Sequence, residues 1–404
     1  MTGKEKNVKI KGLLNNKMSN YLLIKNGCLF NSLKKENADI LIHDKTIVRI
    51  GKIKTNSSQY EVLDASGRIV APGFIEIHIQ GAGGASILEA DRSALETISR
   101  TLARLGTTSF LATTVFKPGA ENLPITVAAE NTGQDLGGAN LLGIHLEGPF
   151  ISPEKKGGIL MDSICKPSLN ILRKIYSLTG KTLKMITIAP ELPGSLPIIR
   201  KLVNSNTIAS FGHSSASYAE TLKGIKAGIS HVTHLFNAMP PIHHRSPGPL
   251  PAIFESTGVT AQVIADGVHL HPGIVNLTFK LLGNQRFVTI SDGLTSTGLP
   301  DGTYVYDGVK YQSKNGTGRH DTAGATPETL VGTTLGLNQM IGRLMKFTGC
   351  TLETAIKTVT ENPARTLGIE KRKGSLAIGK DADIVILNQD LSVFATIVGG
   401  KRCA

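Results

Sequence analysis

Residues 140–149 read NLLGIHLEGP, an apolar, strand-like run that stops at Glu147. Three later runs stop in the same way on an acidic or imidazole side chain: TIASFGHSS at 207–215 with His213, SHVTHLFNA at 230–238 with His234, and RFVTISDG at 286–293 with Asp292. In a barrel of parallel strands the C-terminal ends open onto one face, where active sites lie. The four side chains are therefore predicted to meet at that face, and a metal site is the leading hypothesis for them.

The middle of the chain alternates apolar runs with helical patterns, as repeated βα units do. Eight candidate strands are present, and the four not yet quoted are IVAPGFIEIHI (69–79), TSFLATTV (108–115), KMITIAP (184–190) and TAQVIADGVH (260–269). The connecting helices carry capping signals, with Asp91 before one, Gly106 after it, and Gly228 at the end of another. Eight such units predict a TIM-type (β/α)8 barrel of the α/β class, which typically takes about 250 residues.

Both ends of the chain read instead as short β-like runs separated by turn residues. Two β-rich ends flanking a different middle predict a small β-sandwich domain from residues 20–70 and 374–404, interrupted by a hydrolase barrel at 71–373. Residues 1–19 are polar and lysine-rich, and they are predicted to be a disordered leader, either a solvated tail or sequence ahead of a true start at Met18.

The chain has 404 residues and a formal net charge of +13, which is compatible with nucleic acid, anionic membrane or a phosphorylated small molecule as partner. The interior lysines are scattered without the aromatic side chains that stack on bases, so no nucleic acid is expected. No apolar stretch reaches the roughly 18 residues of a membrane span, so no membrane is expected either. The four cysteines show no paired spacing, and a cytoplasmic protein with reduced thiols is predicted.

Two imidazoles and one carboxylate form a common catalytic zinc set that leaves a position open for water. Glu147, His213 and His234 offer that set from three different strands. A single buried histidine is more often a structural hydrogen-bonder, and a lone glutamate in HLEGP a solvated loop carboxylate, but three candidates at strand ends favour the metal site. Asp292 fits a general base and acid, with capping of the following turn as its alternative role.

Several motifs resemble one family, the N-acetylglucosamine-6-phosphate deacetylases of the amidohydrolase superfamily. They are APGFIEIHIQGAGG (71–84), HLEGPF (145–150), SFGHSSA (210–216), THLFNAMPPIHHRSPG (233–248), IADGVHLHP (264–272), ISDGLTSTG (290–298) and ENPARTLGIEKRKGSLAIGKDADIVIL (361–387). HLEGPF and HLFNAM are specific to that deacetylase, whereas GSLAIGKDADIVIL is shared across the superfamily. The similarity covers about residues 20 to 404 in order, and it implies a metal-dependent amide hydrolase that releases acetate and an amino sugar phosphate.

The resemblance implies roles for single residues. Glu147, His213 and His234 match the metal ligands and Asp292 the acid/base. The residues matched to substrate contacts are Asn237 and Ala238, then Arg245 and His269 toward the sugar phosphate, then Leu330, Val331 and Gly332 around the N-acyl group. In this dimeric family the arginine can come from the partner subunit, so a homodimer is expected.

Two departures from the family pattern concern the metal and the sugar. Many members carry His-x-His after the first strand, where this chain has His78-Ile79-Gln80. An amide binds zinc poorly, so one tightly held metal is expected, with His78 as a second-site ligand or a hydrogen-bonding group. Many members also read Lys-Gly-Ala-His where this chain has Lys156-Gly157-Gly158-Ile159, so Gly158 and Ile159 line the substrate pocket without that histidine.

The expected mechanism uses a divalent metal, with zinc preferred over iron, cobalt or manganese, to lower the pKa of a water. Asp292 accepts the proton of that water and later protonates the leaving amine, while the metal with His78 or His269 stabilises the carbonyl oxygen. One alternative is an amidohydrolase for another N-acyl amino sugar or an N-acyl amino acid, favoured by Ile159 and Gln80 but opposed by Arg245. The other is a non-catalytic protein that binds a sugar phosphate or nucleic acid, opposed by the complete acidic and imidazole set.

Overall fold

The computed structural model describes residues 21–31, 34–54, 60–320 and 329–404, so the predicted leader at 1–19 lies outside the described residues. The strands, in chain order, are β1 (Tyr21–Asn31), β2 (Lys34–His43), β3 (Thr46–Gly51), β4 (Glu61–Asp64), β5 (Ile69–Pro72), β6 (Phe74–Ile79), β7 (Gly81–Ala82), β8 (Ala85–Ser86), β9 (Thr107–Thr114), β10 (Asn140–Glu147), β11 (Leu183–Ile188), β12 (Ile208–Phe211), β13 (His231–Val232), β14 (Thr260–Ile264), β15 (Phe287–Ile290), β16 (Gly302–Tyr306), β17 (Val309–Lys314), β18 (Thr317–His320), β19 (Leu330–Thr333), β20 (Ile384–Leu387), β21 (Val393–Val398) and β22 (Lys401–Arg402). The α-helices are α1 (Arg92–Arg104), α2 (Leu123–Asn131), α3 (Leu169–Thr179), α4 (Ser195–Asn204), α5 (Tyr218–Ala227), α6 (Leu250–Glu255), α7 (Pro272–Arg286), α8 (Leu337–Thr348), α9 (Leu352–Thr358) and α10 (Glu361–Thr366).

Eight parallel strands form the barrel, in the order β15-β14-β13-β12-β11-β10-β9-β6. A parallel bridge between Ile79 and Gly293 brings the last strand back to the first. The strands are almost entirely buried, because helices cover them outside and side chains fill the interior. The predicted (β/α)8 barrel and its eight strands are confirmed.

Both termini contribute to a separate sheet, as predicted, with the order β22-β21-β20-β5-β1-β2-β3 and β4 paired with β1. The run 69–79 differs from the prediction, because it divides between the two sheets. Its first part, Ile69–Pro72, pairs antiparallel with Ile384–Leu387, and its second part starts the barrel at Phe74. The predicted boundary after residue 70 thus falls inside β5, and the domain boundaries themselves stay a prediction.

A four-stranded antiparallel sheet, β16-β17-β18-β19, follows the last barrel strand and was not predicted. Its two tight turns are Asp307-Gly308 and Asn315-Gly316, in which all four residues have positive φ, between 47° and 87°. Such pairs suit the hairpin turns that match strand twist. The sheet joins the barrel where the Thr333 N–H donates to the Asp292 carbonyl at 3.0 Å.

The capping residues that the sequence predicts for two of the helices are confirmed. Asp91 caps α1 by accepting from the Ser93 N–H at 3.2 Å, and Gly228, with φ 123°, follows the last residue of α5. Residues 330–332, which the resemblance matches to the N-acyl contact, lie in a strand, and the next helix begins at Leu337. None of the helices in the described residues has both the length and the apolar character needed to cross a bilayer.

Candidate metal centre and active site

Four predicted site residues follow four barrel strands at the same end of the barrel. Glu147 is the last residue of β10, and His213, His234 and Asp292 each lie two residues beyond a strand. The backbone of these last three is left-handed, with φ of 47°, 25° and 51°. A non-glycine residue in that region costs about 1–3 kcal/mol and persists only where the surroundings enforce it. The strain marks this end of the barrel as the functional end.

The three predicted metal ligands converge on one point. Oε1 of Glu147 lies 3.0 Å from Nε2 of His213 and 2.9 Å from Nε2 of His234, and the two Nε2 atoms are 3.0 Å apart. All three residues are buried. The triangle is small enough for one ion at ordinary zinc–ligand distances of about 2.0–2.2 Å. These residues form a group that can hold a metal ion.

Neighbouring groups fix the orientation of two of the imidazoles, those of His213 and His78. Nδ1 of His213 is 2.7 Å from the Lys155 carbonyl, and Nδ1 of His78 is 2.9 Å from the amide oxygen of Gln262. Because these oxygens only accept, each Nδ1 carries a proton, which leaves Nε2 of His213 free to bind a metal. Glu76 accepts from the backbone N–H groups of His78 and Ser291, each at 3.0 Å, and so ties the first barrel strand to the segment that holds Asp292.

The electrostatics of the site favour a bound cation. Burial would lower the pKa of His78, but the carboxylates of Glu147 and Asp292, 3.5 and 3.2 Å from its Nε2, raise that pKa to about 10. Burial would raise the pKa of Glu147, but the charge of His78 and the close contacts with His213 and His234 hold it well below its usual value. Two buried carboxylates therefore draw positive charge to this point, a condition that a divalent cation satisfies.

Gln80 lies between the two carboxylates. Its Nε2 is 3.2 Å from Oε2 of Glu147 and 3.4 Å from Oδ1 of Asp292. The side-chain amide thus donates to both acids where family members often carry a second histidine. Position 80 therefore offers the two carboxylates an amide donor in place of an imidazole.

A pocket opens over the metal group, and most predicted substrate residues line it. The lining includes Gly158, Ile159, Asn237, Ala238, His269, Leu330 and Val331. His269 is held in place by Asp266, whose Oδ2 lies 2.7 Å from its Nδ1. His78 is fully buried behind the pocket, so of the two histidines expected near the carbonyl oxygen only His269 faces the cavity.

Two predicted substrate residues do not line this pocket. Gly332, with φ 143°, packs under Asp292, and a Cβ there would lie 2.5 Å from the Asp292 carbonyl oxygen. Its contact with the site is therefore through the Asp292 backbone. Arg245 lies in the exposed loop 241–246, with Nη1 2.6 Å from Nε2 of His244.

The pocket has two walls of different origin. The metal wall consists of Glu147, His213, His234 and Asp292, and the sheet wall of the lining residues from the antiparallel sheet: Tyr306, Asp307, Val309, His320, Leu330 and Val331. The sequence reasoning missed Tyr306, Asp307 and His320. The Asp-Gly and Asn-Gly dipeptides between alternating residues were the signal for the hairpins that carry them.

A (β/α)8 barrel with two imidazoles and two carboxylates grouped at its strand ends defines the class of metal-dependent barrel hydrolases. Within that class the chain belongs to the Amidohydrolase family, which its residues 69–403 match.

The chain is similar to characterised deacetylases of this family. It is 38% identical over 365 residues to the N-acetylglucosamine-6-phosphate deacetylase of Bacillus subtilis (strain 168), covering 87% of this chain and 90% of the relative. It is 31% identical over 341 residues to the N-acetylgalactosamine-6-phosphate deacetylase of Escherichia coli O157:H7, covering 84% and 89%. A mutant N-acetyl-D-glucosamine-6-phosphate deacetylase of Mycobacterium smegmatis, solved in complex with N-acetyl-D-glucosamine-6-phosphate, matches with a TM-score of 0.86 at 29% identity, covering 95% of this chain and 99% of that one. The resemblance inferred from the sequence motifs is confirmed.

Proposed function

We propose that the protein is an N-acetylglucosamine-6-phosphate deacetylase, which hydrolyses N-acetyl-D-glucosamine 6-phosphate to D-glucosamine 6-phosphate and acetate in amino sugar catabolism. The observation that carries the proposal is the group formed by Glu147, His213 and His234, within 3.0 Å of one another, with Asp292 on the same pocket. The matches to deacetylases from B. subtilis and M. smegmatis support the substrate.

Glu147, His213 and His234 would hold one divalent metal, with zinc the preferred ion because two imidazoles and a carboxylate suit it. When bound, the ion polarises the acetyl carbonyl and makes water nucleophilic near neutral pH. The donation of the Gln80 amide to Glu147 and Asp292 supports one metal per subunit, since it satisfies both acids without a second cation.

Asp292 is the proposed acid/base. Its carboxylate lines the pocket beside the metal group, where it can take the proton of the attacking water. It returns a proton to the amine nitrogen, because an unprotonated amide nitrogen leaves poorly. The carboxylate is held by Gln80 and His78, and its backbone is held by the pairing of Thr333.

The remaining pocket residues would bind the two ends of the substrate. Leu330 and Val331 supply apolar surface for the acetyl methyl, and Asn237, Ala238 and His269 lie at the proposed sugar phosphate end. The described lining residues include no lysine or arginine, although a phosphate dianion calls for one. The exposed Arg245 would meet that demand from the partner subunit of a homodimer, which is why a dimer is proposed.

A cytoplasmic site of action is also proposed. A phosphorylated sugar does not cross a bilayer unaided, because its charge is too costly to desolvate. The enzyme is therefore proposed to act on its substrate inside the cell.

A second candidate substrate is the C4 epimer, N-acetylgalactosamine 6-phosphate. The observation that favours it is the 31% identity to the E. coli deacetylase of that sugar phosphate. Ile159 in place of a polar residue leaves the sugar side of the pocket less defined, so both epimers belong in the same assay.

The test is acetate release from N-acetylglucosamine 6-phosphate, its C4 epimer and unphosphorylated N-acetylglucosamine by metal-loaded protein. Asp292→Asn is expected to lower kcat by about 10²–10⁴-fold, the usual contribution of an acid/base, without loss of metal. Asp135→Asn, which changes an exposed acid that pairs with the exposed Lys401 and accepts from the Gly137 N–H, is the matched control and is expected to be silent. Faster turnover of the epimer would reassign the substrate, and no turnover of any sugar would reject the proposal.

A further inference from the structure

An amino sugar phosphate brings ring hydroxyl groups into the pocket as well as its acetamide and phosphate. A hydroxyl removed from water without a hydrogen-bond partner costs binding energy, so the pocket must supply polar groups for the ring. The loop that lines the pocket at 157–160 offers only glycine and aliphatic side chains. The sheet wall beside it carries three polar side chains, Tyr306, Asp307 and His320.

Asp307 already has a partner within the protein. Its Oδ1 lies 3.3 Å from Nζ of Lys117, which also lies 3.4 Å from Oδ2 of Asp162. This pair connects the β16–β17 turn to the loop after β9 and to the segment at 161–163. Asp307 therefore holds the sheet wall in position and is less available to a substrate.

His320, the last residue of β18, is half-buried and suits a hydroxyl partner. Burial, and then the nearby charge of Lys156, lowers the pKa of this imidazole, so it is neutral at neutral pH. A neutral imidazole has one donor and one acceptor, and a sugar hydroxyl both donates and accepts. The two groups can therefore bond whichever ring nitrogen carries the proton.

The glycine opposite His320 leaves the imidazole accessible from the pocket. A Cβ at Gly158 would lie 4.0 Å from Nε2 of His320 and 3.7 Å from Cγ1 of Val331. Without a side chain at 158, the ring edge of His320 faces the cavity beside Ile159. The sheet wall thus brings an imidazole to the part of the pocket where the 157–160 loop has none.

We propose that His320 is a substrate-binding residue, which hydrogen-bonds a ring hydroxyl of the amino sugar and fixes the ring against the metal wall. The inference rests on the proposed deacetylase function and assigns its sugar recognition to the inserted sheet. Because this bond would form equally in the ground state and the transition state, its loss raises KM and leaves kcat nearly unchanged.

The experiment compares His320→Leu and His320→Asn with the wild-type, metal-loaded enzyme. The leucine variant is expected to raise KM about tenfold with kcat within about threefold, and the asparagine variant, which keeps a donor and an acceptor, to recover most of the loss. His43→Ala, an exposed histidine in the terminal sheet, is the matched control. Equal KM values for the wild type and the leucine variant would overturn the inference.

Deoxy analogues of the substrate separate a direct bond from a structural effect. With one of the 1-, 3- or 4-deoxy analogues of N-acetylglucosamine 6-phosphate, the wild type and His320→Leu are expected to have the same KM, because the bonding group is then missing from the ligand. The inference would be overturned if His320→Leu raised KM by the same factor with every analogue. It would also be overturned if Tyr306→Phe raised KM and His320→Leu did not. Failure of the wild type to release acetate would instead reject the proposed function.

Discussion

The metal wall and the sheet wall enclose one pocket but are built in opposite ways. Each side chain of the metal wall lies at the end of a different parallel strand, and three of the four residues have a left-handed backbone. The sheet wall comes from antiparallel strands that follow the last barrel strand, with tight turns at 307–308 and 315–316. Barrel strand ends hold reacting groups in a fixed frame, whereas inserted hairpins can change without disturbing the barrel. With the proposed function, this difference leads us to expect that the metal wall carries out the reaction and the sheet wall selects the sugar.

The strongest test of this division is a change in the metal wall. Glu147→Gln removes the charge that the three-residue group provides, so metal content is expected to fall to near zero and kcat/KM by about 10³-fold or more. Metal analysis and acetate release measure the two effects. Glu154→Gln changes an exposed carboxylate that accepts a hydrogen bond from Ser215 and is expected to match the wild type. Full metal content with normal turnover would remove Glu147 from the reaction.

Arg245, the proposed phosphate-binding residue, belongs to neither wall, so a variant at this position tests whether the two walls alone bind the substrate. Arg245→Ala is expected to raise KM for the phosphorylated sugar by about 30- to 160-fold, since charge-assisted hydrogen bonds to phosphate contribute about 2–3 kcal/mol. Unphosphorylated N-acetylglucosamine, which offers the guanidinium no anion, is expected to be turned over equally by both proteins.

Mixed dimers show which subunit supplies the arginine. If Arg245 acts across the interface, mixing Arg245→Ala with Asp292→Asn subunits restores one intact site in each hybrid, or about a quarter of wild-type activity at random mixing. Hybrid dimers that form, as seen by native mass spectrometry, but stay inactive would place the arginine in the site of its own subunit.

The metal wall could be predicted from sequence because its signals are local. Each ligand candidate ends an apolar run, and parallel strands bring such ends together without further information. The sheet wall had a local signal too, in Asp307-Gly308 and Asn315-Gly316, but nothing local shows that the hairpins fold over the pocket. The inward position of His320 depends on packing against the 157–160 loop, and the exposure of Arg245 is visible only in the folded chain.

Gly332 joins the two walls, and enlarging it tests how strongly they depend on each other. A Cβ at Gly332 would lie 2.5 Å from the Asp292 carbonyl oxygen, so Gly332→Ala is expected to shift Asp292, lower kcat about tenfold and reduce stability by about 1–3 kcal/mol. Gly308→Ala is the matched control, because its φ of 76° is also left-handed but no atom lies within 4 Å of its Cβ position. The Gly308→Ala variant is expected to lower the free energy of unfolding by about 1 kcal/mol, measured by thermal unfolding, and to keep full kcat. Equal kcat in both variants would mean that the walls act independently.

The smallest expected effect concerns the pair that holds the sheet wall. Lys117→Met removes the contacts to Asp307 and Asp162, and because Lys117 is 29% exposed, such contacts contribute about 0.2–1 kcal/mol. KM is expected to rise about threefold with kcat unchanged, and added salt should move the wild type toward the variant, since screening weakens the same pair. Lys401→Met, which removes the surface pair with Asp135, both side chains being 75% exposed, is the control and is expected to leave KM unchanged. A kcat effect in Lys117→Met would instead mean that the sheet wall positions the reacting groups, and the division of labour between the walls would fail.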